Sequence, residues 1–196
     1  MKFNIKYTDI FSLDISWLEP HLGFKHSRFL NPPGQAYFKT LAYFSTLFDN
    51  VILIDLGTRA GASAVALSYN PSNTVSSFDI EDKLKAKIER PNIRFHVDNI
   101  LLSPEKLSVL LDSQLIYLDI DPHDGIQEKV VSDFLLVNNY KGVMLCDDIK
   151  VPQKYPGLHD WFNTLPVPFY DISKLGTERY GFGLVDFGYN EWEFTW

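Results

Sequence analysis

Between Val51 and Asp148 the chain alternates short β-rich apolar runs with stretches of helical character, and this pattern restricts the fold more than any other feature. Such alternation is the signature of βαβ units laid onto a parallel sheet. Strands are expected at Val51–Leu56, Thr74–Ile80, Asn92–Val97, Gln114–Ile120 and Gly142–Cys146. Helices are expected between them at Ala60–Tyr69, Glu81–Arg90, Pro104–Asp112 and Ile126–Asn139. Ser103 supplies a capping hydroxyl and Pro104 suits a first helical position. Upstream, Tyr37, Leu41, Phe44 and Phe48 recur at spacings of four, three and four, which predicts an amphipathic helix after Asn31-Pro32-Pro33-Gly34. Downstream, a helix around Leu158–Asn163 and strands at Val167–Ile172 and Phe182–Phe187 complete the pattern.

The expected fold is therefore α/β, a Rossmann-like doubly wound sheet of seven strands, mostly parallel with an antiparallel C-terminal strand. At 196 residues the chain is read as one domain spanning 1–196, with 1–50 as an N-terminal helical cap segment and 51–196 as the core. Twelve of its 29 aromatic residues fall between Tyr155 and Trp196, which suits a packed final layer of the sheet or an aromatic wall around an acceptor. The net charge of −7 disfavours partners held by phosphate neutralisation, so no nucleic acid and no membrane surface is expected. A single cysteine, Cys146, excludes an intramolecular disulfide and a cysteine-rich zinc site, and reads as a core thiol. No apolar run approaches a membrane span, and Asp9 and Asp14 interrupt any signal-peptide core. A cytoplasmic location is the expectation; oligomeric state is not readable.

The first core strand ends in Asp55-Leu56-Gly57-Thr58-Arg59-Ala60-Gly61-Ala62-Ser63, a glycine-rich turn leading into a helix. Glycine there permits positive φ and close approach of a ligand to the backbone. A dinucleotide loop would show G-x-G-x-x-G. Here Gly57 and Gly61 are four apart and Arg59 takes the place of a middle glycine. Asp55, two residues before Gly57, disfavours a pyrophosphate and suits an ammonium or a sulfonium. Asp79, at the end of the second strand with Ile80 beside it, is placed to accept hydrogen bonds from ribose hydroxyls; the alternative is a cap for the helix beginning at Glu81. Asp98 follows the third strand, where the alternative is a turn-forming Asp-Asn pair.

The fourth and fifth strands end in Leu118-Asp119-Ile120-Asp121-Pro122-His123-Asp124-Gly125 and Leu145-Cys146-Asp147-Asp148. In a doubly wound sheet those are neighbouring carboxyl ends, where ligands bind. Carboxylates crowded together raise one another's pKa values unless a cation sits among them. Hard oxygen donors with no cysteine and few histidines favour Mg²⁺, Ca²⁺ or Mn²⁺ over zinc. Asp119, Asp147 and Asp148 are the expected metal ligands.

These blocks resemble a known family. The glycine loop looks like the S-adenosylmethionine loop of class I methyltransferases, and Asp119 followed by Asp147-Asp148 is similar to the metal triad of catechol O-methyltransferase-like enzymes. More closely, Ile54–Ala64, Asp119–Glu128 and Asp147-Asp148-Ile149 look like sugar O-methyltransferases related to macrolide and rhamnosyl methyltransferases and to cephalosporin hydroxylase-like proteins. The resemblance runs from Pro33 to Asp186. It implies S-adenosyl-L-methionine as cofactor, bound by Asp55, Gly57, Thr58, Arg59, Gly61, Ser63, Asp79, Ile80, Asp98 and Asp119, with Asp98 meeting the adenine amino group, and a divalent cation, Mg²⁺ or Mn²⁺.

Two departures from the family stand out. Where catechol methyltransferases place a lysine base, this chain has Pro122. His123 is the nearest replacement, because histidine titrates near neutrality and can accept a proton there; its alternative role is to orient Asp119 or Asp121. Where relatives carry Gly-His near the last strand, Gly176 precedes Thr177-Glu178-Arg179. The expected activity is methylation of a hydroxyl on a sugar within a glycan or glycoconjugate, with His123 and Asp119 catalytic. A catechol or small phenol is the alternative acceptor. A non-catalytic nucleotide-binding protein or an oxidoreductase is the alternative class.

Overall fold

The computed structural model describes every residue except Pro33 and 177–179, so the Thr177-Glu178-Arg179 departure lies outside the described residues. In chain order the elements are β1 (Lys2–Lys6), α1 (Tyr7–Ser12), α2 (Ser27–Leu30), α3 (Gly34–Ser45), β2 (Ile52–Leu56), α4 (Ala62–Leu67), β3 (Thr74–Asp79), β4 (Ile93–Val97), α5 (Pro104–Leu107), β5 (Ser113–Leu118), α6 (Ile126–Val137), β6 (Val143–Asp147), α7 (Pro156–Asn163), β7 (Phe169–Asp171), β8 (Phe182–Asp186) and β9 (Glu191–Thr195). Seven strands form one sheet in the order β4-β3-β2-β5-β6-β8-β7. Every pairing from β4 to β6 is parallel, and β8 runs antiparallel to both β6 and β7. This is the doubly wound, mostly parallel sheet that the alternation predicts.

The central strands are buried on both faces, which is why they read as near-continuous apolar runs. Leu53, Leu115, Tyr117, Val143 and Leu145 face α3 and α4, where Leu41, Phe44 and Val65 meet them. Ile54, Ile116, Leu118, Met144 and Cys146 face the opposite side, against Val131 and Leu135 of α6 and Leu158 and Phe162 of α7. Leu41 and Phe44 are fully buried; each contributes roughly 1.5–3 kcal/mol of transfer free energy. All six residues of α4 are buried. Its small alanines let it lie close to the sheet, and that fixes where the preceding loop emerges.

The expected helix at Glu81–Arg90 does not form. Asp79 Oδ1 accepts from Glu81 N at 3.2 Å and Asp82 Oδ1 from Leu84 N at 3.2 Å. Such local bonds offer the backbone an alternative to a helix. Leu84 and Ile88 lie against Gly61 instead, Ala86 lies against Gly23, and Arg90 binds Ser68 O at 2.5 Å. Pro104–Asp112 is likewise not one helix. It is α5 followed by a 3₁₀ turn at Ser108–Asp112, although Ser103 does cap it, accepting from Lys106 N. The segment 1–50 is not purely helical either. Its strand β1 pairs in parallel with β9 in a separate two-stranded sheet, with Phe3 stacked on Trp192 at 4.3 Å. Among the described residues no helix is long and apolar enough to cross a membrane.

Candidate active site

The glycine loop is tied to both neighbouring strands. Gly57 N and Thr58 N donate to Phe78 O on β3 at 2.9 and 3.2 Å. Gly57 has φ +100°, and a Cβ there would overlap the Asp119 carbonyl at the end of β5. Only glycine permits both the dihedral and the approach. Arg59, also at positive φ, donates its N–H to Asp79 Oδ2 at 2.8 Å. Gly61 caps α4 at φ +83° and donates to Thr58 O.

The acids expected at the cofactor occupy different environments. Asp55 lies wholly buried under the loop, where Ser77 Oγ donates to its Oδ2 at 2.5 Å and Thr58 Oγ1 joins Ser77 Oγ. Burial raises its pKa from 3.8 to about 6, with bonds from Ser77 and Ser63 acting in the opposite direction. Its Oδ1 has no hydrogen-bond partner among the described residues. Asp55 thus acts on the loop from below rather than from its open side. Asp79 ends β3 with its carboxylate already accepting from Arg59 N and Glu81 N, so it caps a turn and no helix. Ile80 beside it is exposed. Asp98 N donates to Asp79 O, and the Asp98 carboxylate is ion-paired with Lys106.

The second acidic group gathers around His123. The imidazole is buried, and its Nε2 lies 3.7 Å from Asp119 Oδ1, 3.6 Å from Asp121 Oδ1 and 3.9 Å from Asp148 Oδ2. Its Nδ1 lies 4.0 Å from Glu128 Oε1. The backbone bends sharply to achieve this, with φ +57° at His123 and +60° at Asp148. Burial raises Asp119 to about 6, and Asp148 and Asp121 add to the rise while His123 opposes it. Asp147 is raised well above the ordinary carboxylate value by burial and by the charges of Asp119 and Asp148. Its Oδ1 is buried without a hydrogen-bond partner among the described residues. Hard oxygen donors, mutual repulsion and an orphaned carboxylate oxygen are the chemistry that a divalent cation would relieve. Among the described residues, however, no three His, Cys, Asp or Glu side chains stand in a ready ligating arrangement. The acids surround an imidazole instead.

Four residues at this site carry no sequence expectation of a role in the chemistry. Glu128 lies buried beneath His123 on α6, with Oε2 unpartnered among the described residues and its pKa raised by burial. Its only signal is a carboxylate on the apolar side of α6. Tyr155 packs its ring on His123 at 4.8 Å and belongs to the C-terminal aromatic cluster. Tyr37 and Tyr117 read as core aromatics, yet their hydroxyls bond to each other. The remaining expected residues lie at the carboxyl edge of the sheet: Gly57 to Gly61 on the loop after β2 and Ser63 in the first turn of α4, Asp79 and Asp147 as the last residues of β3 and β6, and Asp98, Asp119 and Asp148 directly after β4, β5 and β6.

No protein-family model matches the chain, and no curated protein matches it. Solved structures do. S-adenosylhomocysteine-bound methyltransferase PaMTH1 of Podospora anserina matches with a TM-score of 0.61 at 13% identity over 88% of each chain. Cofactor-bound Rv0187 from MTB matches at 0.59 and 14%, over 81% of each chain. A Klebsiella pneumoniae protein provisionally assigned as an O-methyltransferase matches at 0.57 and 14%, over 91% of this chain and 92% of that one. At such identities the likeness concerns the fold, and the fold of this chain is that of class I methyltransferases.

Proposed function

We propose that the chain is an S-adenosylmethionine-dependent O-methyltransferase, assisted by a divalent cation, that methylates a hydroxyl of a sugar in a glycan or glycoconjugate. The observation that carries this reading is one juxtaposition. A glycine loop with an acid beneath it adjoins a buried histidine ringed by carboxylates, at the edge where a doubly wound sheet binds ligands. The solved structures described as methyltransferases share the fold that carries this edge.

In this reading the loop Gly57–Ser63 and Asp79 hold the cofactor, with Asp79 turned to its ribose. The acceptor hydroxyl lies near His123 Nε2. S-adenosylmethionine held at the loop would supply an electrophilic methyl group to that hydroxyl oxygen. The acceptor proton passes to His123, and the nearby carboxylates of Asp119, Asp121 and Asp148 stabilise the imidazolium. A positioned base of this kind contributes ~10² to 10⁴-fold. Asp119, Asp147 and Asp148 are the residues that would hold Mg²⁺ or Mn²⁺, which would polarise the acceptor hydroxyl and lower its pKa. Tyr155 favours one second reading, a small phenol as acceptor, because its ring offers a stacking surface beside His123.

Incubation with labelled S-adenosylmethionine, sugars and catechols, with Mg²⁺ or Mn²⁺ and after chelation, tests both. Label on a sugar hydroxyl only with the cation is the expected result. Label on catechols alone selects the second reading. Tight NAD(H) binding with none of S-adenosylmethionine refutes both.

A further inference from the structure

The buried stripe of α6 consists of Glu128, Val131, Ser132 and Leu135, spaced as one face of a helix. Val131 and Leu135 enter the core, and Ser132 Oγ accepts from Trp161 Nε1 at 3.1 Å. Glu128 instead brings a carboxylate to a position that suits an apolar side chain, and its Oε2 is unpartnered among the described residues. Burying such a group is costly unless something bonds it. The start of the helix is held in place, because Gly125 precedes it at φ +81° and a Cβ there would stand 2.3 Å from Gly157 O. That keeps Glu128 beneath the loop that carries His123.

The two nitrogens of the His123 ring see different surroundings. Asp119, Asp121 and Asp148 lie 3.6–3.9 Å from Nε2, whereas Glu128 Oε1 lies 4.0 Å from Nδ1. Tyr155 covers the ring at 4.8 Å. A neutral imidazole carries its proton on one nitrogen only. Three carboxylates draw that proton to Nε2, where it would deprive the nitrogen facing the acceptor of its lone pair. Glu128 opposes them from the other side. Its side chain is 3% exposed, against 33% for Asp119, 91% for Asp121 and 19% for Asp148. Water weakens the pull of the exposed carboxylates much more than that of the buried one. A movement of about 1 Å brings Oε1 to the ~2.7–2.9 Å of a charge-assisted bond from Nδ1–H.

We propose that Glu128 is a positioning residue whose buried carboxylate takes the hydrogen bond from His123 Nδ1–H and so leaves Nε2 bare toward the acceptor. A carboxylate on that N–H fixes both the tautomer and the orientation of a base imidazole. Glu128 acts through His123 and touches no substrate. The kinetic consequence rests on the O-methyltransferase reading with His123 as base, but the tautomer does not.

Nitrogen-15 NMR of the neutral His123 ring, its signals identified by their absence from His123→Asn, reads the tautomer without any activity. The parent is expected to carry the proton on Nδ1. In E128L, which keeps an apolar group on the buried stripe, the proton should move to Nε2. E128Q, whose amide oxygen still accepts, should retain it on Nδ1. A parent protonated on Nε2, or an E128L ring still protonated on Nδ1, overturns the proposal whether or not the protein methylates anything. With an acceptor in hand, E128L should lower kcat roughly 10- to 100-fold, the worth of a hydrogen bond to a charged group, with KM for S-adenosylmethionine within about twofold. E128Q should recover most of that loss. A purely structural role would shift the melting temperature of E128L and leave kcat above about half the parent value, and that pattern also overturns it. Should E128L fail to fold, the tautomers of the parent and E128Q decide. Failure to bind S-adenosylmethionine refutes the O-methyltransferase reading and leaves the NMR to decide this one.

Discussion

Replacing Asp55 by asparagine should make the fold more stable near neutral pH and the protein a weaker cofactor binder. The carboxyl is fully buried beneath the glycine loop, and burial moves its pKa from 3.8 to about 6. A pKa raised on folding means that the folded state holds the proton more tightly than the unfolded one. The associated stability is fully present below pH 3.8 and is lost as pH rises through about 6. Across that interval, at roughly 1.36 kcal/mol per pH unit, the ionised carboxylate costs about 3 kcal/mol. Asparagine carries no charge to desolvate, and the Ser63 and Ser77 hydroxyls can turn to donate to or accept from its amide. The ceiling on the gain at pH 7.5 is therefore about 3 kcal/mol, or about 6–12 °C in melting temperature for a chain of this length. At pH 4 the two proteins should melt together to within about 2 °C, since both are then nearly neutral at this position. Asp119, Asp147, Asp148 and Glu128 are also raised, so the parent itself should lose stability from pH 5 to 7.5. Subtracting parent from variant at each pH isolates Asp55. Scanning calorimetry at pH 4, 5, 6 and 7.5, at fixed ionic strength and without cofactor, reads this directly. A variant less stable than the parent at pH 7.5, or an equal gain at pH 4 and 7.5, would refute the reasoning.

Gly57→Ala places a Cβ at φ +100° into the backbone of β5, so it should destabilise by more than ~3 kcal/mol. Gly176→Ala, whose Cβ would make ordinary contact with Phe182, should stay within about 1 kcal/mol, and thermal melts that rank the pair otherwise contradict the packing described. His123 sits at φ +57°, a conformation that asparagine tolerates, so His123→Asn should keep the fold and cofactor affinity while turnover falls ~10² to 10⁴-fold; retention of more than half the turnover would remove His123 as the base. The double change Asp147→Asn with Asp148→Asn should abolish turnover and spare cofactor binding, as calorimetric titration would show.

Much of this architecture is legible in the sequence where local pattern and tertiary context agree. The runs at 52–56, 113–118 and 143–147 are buried on both faces, so their apolar character alone reveals them. Gly57 and Gly61 announce a loop that only glycine can make. The failures are those of elements set by distant contacts. The segment Glu81–Arg90 has helical composition, yet Asp79 and Asp82 turn its backbone and the N-terminal segment packs against it. The β1–β9 pair joins residues separated by nearly the whole chain, so no local signal exists. At the site, carboxylates at strand ends are readable from position. Side-chain direction is not, which is why Asp55 proves buried, Asp98 is held by Lys106 and Tyr37 goes unnoticed.

The central claim is that S-adenosylmethionine binds at the loop between Gly57 and Ser63 with Asp79 facing its ribose, and melting the parent and Asp79→Ala with and without the cofactor tests it most directly. At ~100 times its dissociation constant the cofactor should stabilise the parent by ~2.7 kcal/mol, or roughly 5–10 °C. Asp79→Ala should lose most of that shift while the unliganded variant still melts cooperatively. An unchanged melting temperature of the parent at millimolar S-adenosylmethionine would contradict the account.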